Sequence, residues 1–344
     1  MGLYFMIFTR ILRNYLLKIG NAFYARTAKN FAQAEQFIST PGPLSIGNTL
    51  VADKICEGEF FIFGNTVQLE DKVIWDHSIK NVENYEDLHG FTWLDDLAAR
   101  GDKAAIEIAQ KWIFSWIEKY GSGSGAGWTP NLTGRRLIRL IHHEEIILRD
   151  LSEKKINIYF RFIYKQANFL SKRFYKTHEI NMNFEAIVGL IYCGLYVEGF
   201  DSFITVATEY LSRECRDKID EDGGILSRNP EELLEIFTYL VWVAHGLHDA
   251  DWTPSQAHIE AINRIAPTLR HLRHTNGSLC RFNGSLGKYS GELDRYLFLS
   301  GNKKKTTKIL KMGYARLEGG RTSIIQDAGS LPNLFQSNLA HASV

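Results

Sequence analysis

The chain has 344 residues, 45% hydrophobic and 23% charged, enough for two or three ordinary domains or one large repeat domain with an appendage. Forty basic residues face 39 acidic ones, a net charge of +1, which excludes the strongly positive character of a nucleic-acid binder. Cys56, Cys193, Cys215 and Cys280 form no CxxC pair, so no structural zinc is implied, and no run reaches the ~18 apolar residues of an integral membrane span.

Residues 3–37 read as a helix. Its apolar start, MGLYFMIF, is short for a secretory signal and is followed by Arg10, Arg13 and Lys18. The pattern fits an amphipathic helix that packs on the body; the alternative is one that lies on a membrane surface. STPGPLSIGNT, 39–49, breaks the pattern. GEFFIFGNTVQL, 58–69, reads as a short hairpin turning at Gly-Asn, and 75–91 as an irregular connector.

From residue 92 to about 274, helix follows helix. In 104–121 the apolar residues Ile106, Ile108, Trp112, Ile113, Trp116 and Ile117 recur mostly three or four apart. FEAIVGLIYCGLYV, 184–197, is apolar nearly all round, as an inner-layer helix is. Alternating inner and outer helices without a fixed repeat predict stacked α-hairpins, an α/α toroid or a solenoid. After residue 276, Gly-rich and β-branched segments predict the first strands of a β domain, with the chain expected to be cut short at Val344. The expected division is a helical segment and linker at 1–57, a mainly α domain at 58–275 and the start of a β domain at 276–344.

Several segments follow one another in an informative order. They are FTWLDDLAARGD (91–102), WIFSWIEKYG (112–121), GWTPNLTGRRLIRL (127–140), INMNFEAIVGLIYCGL (180–195) and DGGILSRNPEELLEIF (222–237), then RFNG and a closing AHAS. In this order they resemble the heparinase II/III family of polysaccharide lyases over most of residues 55–344. The resemblance implies an α/α toroid followed by a truncated β-sandwich, an acidic, uronate-containing polysaccharide as partner, and β-elimination as chemistry. In that reaction a base takes the proton beside a carboxylate, which hydrogen-bond donors must neutralise. No cofactor is expected from this chain, although the family leaves room for a structural metal in the β domain. Acidic glycans imply the cell envelope (periplasm); the lack of a clear signal peptide keeps the cytoplasm as the alternative.

Carried over residue by residue, the family's Asn-His pair with a following Glu falls on Asn181, Met182 and Glu185, so Met stands where His is usual. The turn DGGxxxxSPxYH is matched at Asp222, Gly223, Gly224 and Pro230, but Asn229 replaces Ser, Glu232 replaces the catalytic Tyr and Leu233 replaces His. His341, in AHAS, corresponds to a histidine of the family's His-rich β strand. If the chain is active, Asn181 neutralises the substrate carboxylate, His341 is the β-domain contribution and His178 replaces the lost imidazole. Asn181 has a second reading as a helix N-cap.

Arg135 and Arg136 would grip an anionic sugar with Trp128 as stacking platform; otherwise one Arg pairs with a local acid and the Trp packs. His142 and His143 read as core. Arg228 and Glu232 either contact substrate or serve the local structure, in a capping box with Asn229 as cap, Pro230 at N1 and Glu232 at N3. Met182 donates no hydrogen bond and a carboxylate at 232 repels a uronate. The alternative to an altered lyase is therefore a non-catalytic glycan-binding or scaffold protein on the same fold.

Overall fold

The computed structural model describes residues 2–29, 36–62, 65–69, 73–76, 85–125, 127–176, 182–285, 287, 291–306, 308–319 and 322–329. It divides into two compact units, Met1–Ala207 and Thr208–Val344. The division falls inside 58–275, the stretch expected to be one helical domain.

The first unit opens with α1 (Gly2–Thr27) and α2 (Thr49–Cys56). Asn48 sets the start of α2: its side chain accepts the Leu50 N–H at 3.0 Å, satisfying one of the orphan donors of a helix N-terminus. The expected hairpin is β1 (Glu59–Ile62) paired antiparallel with β2 (Asn65–Gln68), Glu59 opposite Gln68. It buries Phe60 edge-on against Trp112, ring centroids 5.6 Å apart. The described part of the irregular connector holds two 3-10 turns, Ile74–Asp76 and Tyr85–Gly90. Then come α3 (Trp93–Arg100), α4 (Lys103–Tyr120), α5 (Pro130–His142), α6 (Glu144–Leu148), α7 (Glu153–Arg173) and α8 (Met182–Tyr196).

The centre of this unit is the pair α5 and α8. Every residue of α5 except Arg135 is buried, and so is every residue from Phe184 to Val197, as an all-round apolar helix requires. Two glycines let the backbones approach. A Cβ on Gly134 would run into the Glu185 carbonyl, and one on Gly189 into the backbone of Gly134.

α9 (Phe203–Lys218) runs across the division. The second unit continues with α10 (Pro230–Asp249), α11 (Gln256–His271) and α12 (Glu292–Leu299). An antiparallel sheet follows in the order β3 (Leu310–Lys311), β4 (Tyr314–Gly319), β5 (Thr322–Asp327). β3 and β4 are joined by Met312 and Gly313, with φ of 49° and 79°, the two left-handed residues of a type I′ turn whose twist suits a hairpin. α12 departs from the sequence reading, which took everything after 276 as β. Leu293, Tyr296 and Leu297 are buried at helical spacing, but eight residues between Gly-rich turns are too few for that period to stand out. The architecture is mainly α, helices followed by a small sheet.

Candidate functional site

In the first unit the polar side chains of α5 form a ladder, each rung tied down. Arg135, the one rung that is not fully buried, donates from Nε to Glu185 Oε1 at 2.9 Å and also contacts that oxygen through Nη2. The pairing of one Arg with a nearby acid is thus observed, and the acid is Glu185 of α8. Arg139 Nε donates to Asp95 Oδ2 at 2.9 Å, while Asp95 Oδ1 meets His143 Nε2 at 2.8 Å and the Ser45 hydroxyl at 2.9 Å. Burial alone would raise the Asp95 carboxyl, but Arg139, His143 and Ser45 outweigh it and hold it well below the usual range. His142 Nε2 lies 3.1 Å from the Tyr192 hydroxyl, and burial, with the neighbouring His143, lowers its pKa to about 3.

Arg136 points the other way, into the core. Its Nη1 donates to the carbonyls of His89 at 2.6 Å and Gly127 at 3.2 Å, and its Nε to Gln166 Oε1 at 2.5 Å. The guanidinium carbon sits 4.2 Å from the centroid of the Trp116 ring, a cation–π contact inside the protein. Burial pulls its pKa down to about 9, which still leaves it charged at neutral pH. Trp128 is buried too: its indole N–H donates to the Tyr120 carbonyl at 2.8 Å and its ring meets Phe169 edge-on. Sugar-gripping by Arg136 and stacking on Trp128 both need an open face, and in this structure neither side chain has one; they are packing residues. Met182 opens α8. His178, Asn181 and His341 lie outside the described residues.

In the second unit the turn at 220–232 is held by its own backbone and by the sheet. Asp220 Oδ1 accepts the N–H groups of Asp222 at 2.9 Å and Gly224 at 2.7 Å. Gly223, at φ 77°, lies so close to the Arg264 carbonyl that no side chain fits. Arg228 takes φ 55°, and its guanidinium reaches the β3–β4 turn. Nε donates to the Met312 carbonyl at 3.0 Å, Nη2 to the Gly313 carbonyl at 3.2 Å and to the Asp327 carboxylate, and the Tyr314 ring lies 4.8 Å away. Tyr314 in turn donates its hydroxyl to the Arg228 carbonyl at 2.6 Å. Asn229 caps α10, accepting the N–H groups of Glu231 at 2.9 Å and Glu232 at 3.3 Å. The Glu232 carboxylate takes the Ser227 hydroxyl, which itself accepts the Asn229 N–H at 3.4 Å. The Asn229 cap of the expected capping box is therefore present, but the Asn229 N–H goes to Ser227 and not to Glu232, which reaches it only through that hydroxyl.

The same unit holds a cleft of 480 Å³ lined among others by Arg270, Arg273, Lys305 and Arg316, with Asp294 and Glu318 as the acids. Arg273 pairs with Asp294 at 2.7 Å and Arg316 with Glu318 at 2.6 Å, which leaves Arg270 and Lys305 as the cations not balanced by those two acids. Sequence reasoning missed this cleft: Lys305 reads as part of a solvated KKK loop. The available signal was the run RHLRH at 270–274, which starts on the last turn of α11 and continues past its end. Among the described residues no group of three His, Cys, Asp or Glu side chains is placed to hold a metal.

Comparison with solved structures then decides the architecture. A crystal structure of heparinase III superposes over 91% of this chain with a TM-score of 0.63 at 17% identity. The chain has the heparinase III fold. A heparan sulfate lyase, HepC of Pedobacter heparinus, matches over 91% of the chain with a TM-score of 0.53 at 13% identity. The chain spans 56% and 55% of the lengths of these two proteins. The resemblance read from the sequence thus holds at the level of the fold, which is what likeness at such identity shows. No family model matches the chain. Among curated proteins, the FtsZ-localized protein C of Caulobacter vibrioides is 24% identical over 246 residues, covering 71% of this chain and 42% of that one.

Proposed function

We propose that the chain acts on a uronate-containing acidic glycan in the manner of polysaccharide lyases, by β-elimination, with an altered set of catalytic residues. The observation that carries this reading is the heparinase III fold over 91% of the chain. In it, Asn181 neutralises the uronate carboxylate, His178 replaces the imidazole missing at Met182, and His341 is the contribution of the β domain. Arg135, the one residue of α5 that is not fully buried, anchors the polymer by sharing its guanidinium between Glu185 and the substrate. The cleft at Arg270 and Lys305 adds positive charge for an acidic chain. Arg228 and Glu232 serve the turn that carries the site, Arg228 by fastening it to β3 and β4. Such a substrate belongs to the cell envelope.

A second reading rests on one observation, the pair of replacements Met182 and Glu232, neither of which serves as the usual hydrogen-bond donor or base. A non-catalytic glycan-binding or scaffold protein needs neither, and the curated relative is named for localisation with FtsZ rather than for a lyase activity. Incubation with a panel of uronate polymers separates the two. The lyase reading expects ultraviolet absorbance from an unsaturated product, lost in Asn181→Ala. A flat trace with retained binding favours the scaffold; a flat trace without binding to any polymer contradicts both.

A further inference from the structure

α1 carries its apolar residues on the wrong side for a helix that belongs only to this unit. It packs on α7 through small and polar positions. Asn21 is buried and accepts the Arg173 Nε–H at 2.9 Å, Ala25 is buried, Gly20 faces the Arg173 guanidinium, and that guanidinium lies 5.3 Å from the Tyr24 ring. The large apolar side chains point away. Phe8, Ile11, Leu12, Tyr15, Leu16, Ile19 and Phe23 are 45% to 63% exposed. At about 100° per residue these seven fall within an arc of roughly 140° on the helix, opposite the face that meets α7. The stripe from Phe8 to Phe23 is about 22 Å long. Scattered exposed leucines need no explanation, whereas a continuous apolar stripe on one face marks a binding surface.

The charge of the helix selects the occupant. Gly2–Thr27 contains Arg10, Arg13, Lys18 and Arg26 and no acidic residue. Two copies of α1 laid face to face would bring like charges together, whereas an anionic bilayer offers both an apolar interior and negative headgroups. Lys18 is exposed at the edge of the stripe, where its stem can lie along it and its charge reach the headgroup level; Arg13, also exposed, lies about 60° further round the helix and adds to its positive charge. No helix among the described residues is long and apolar enough to cross a membrane, so the geometry is that of a helix lying in the interface. We propose that α1 docks the chain on an anionic phospholipid bilayer, with the Phe8–Phe23 stripe buried in the interface. This stands independently of the glycan reading.

Flotation of the full chain with vesicles tests it. With phosphatidylglycerol mixed into phosphatidylcholine the chain should float, and with phosphatidylcholine alone the bound fraction should fall by about tenfold. Ile11→Glu with Ile19→Glu should abolish flotation while leaving the melting temperature unchanged, because neither side chain lies on the face that meets α7. Arg13→Glu with Lys18→Glu should weaken binding to the anionic vesicles by about tenfold or more, as should high salt on the unmodified chain. The proposal is overturned if the chain does not float with anionic vesicles or if the Ile11/Ile19 variant floats equally well. It is also overturned if, without vesicles, the chain is a dimer that this variant turns into a monomer, for then a second copy is the occupant.

Discussion

Arg136 is a full positive charge in the core with carbonyl oxygens, one amide and an indole face in place of a carboxylate. Replacing it with Leu leaves the His89 and Gly127 carbonyls short of a donor in a dry site, at a cost of about 3 kcal/mol. Denaturant melts of Arg136→Leu should show that loss, and a change under about 0.5 kcal/mol would contradict the packing role. Three buried histidines give a pH signature. Burial, aided at His89 by Arg136 and at His142 by His143, lowers His89 and His142 to about 3, and burial lowers His258 to about 4. An unfolded chain protonates its histidines near 6.5, so these folded values lie below the unfolded one. The stability they contribute is full above about 6.5 and is lost as pH falls toward 4. Asp96, raised to about 6 by burial, works in the opposite direction and offsets only part of this. Denaturation midpoints should therefore drop between pH 7 and pH 5, and a flat profile over that window would contradict the neutral, buried assignment.

The α5–α8 pair sets the first unit through two glycines, and that contact is testable. Gly189→Ala pushes a Cβ into the backbone of Gly134, and overpacking of this kind costs about 1–3 kcal/mol. Gly42→Ala, where an added Cβ meets nothing, should cost under about 0.5 kcal/mol; equal melting temperatures for the two variants would refute the close approach. At α10, Asn229→Ala removes the cap on two N–H groups and should cost about 1 kcal/mol. Much at this scale was legible in the sequence. The Asn-Pro-Glu-Glu order marks the start of α10, the Phe-, Ile- and Val-rich run at 58–69 marks the hairpin, although Asn65 pairs with Ile62 in the ladder instead of turning it, and the all-round apolar run marks α8. The partners of Arg136 and Arg228 were not legible. Those guanidiniums bond to backbone carbonyls 47 and 84 residues away, and every residue has a carbonyl, so nothing in the residue types announces the contact. Arg136 next to Arg135 reads as a pair of like function, yet successive residues of a helix face different ways: one meets Glu185 and the other the core.

For the molecule as a whole, the heparinase III fold over 91% of the chain is the scaffold of the proposed function, in which positions 182 and 232 carry Met and Glu. The central claim is recognition of uronate carboxylates, and calorimetric titration of the chain with a uronate polymer and with the same polymer after reduction of its carboxyl groups tests it most directly. The account predicts saturable binding to the native polymer that weakens with salt and disappears on carboxyl reduction. Equal binding to both polymers, or binding to neither, would contradict it.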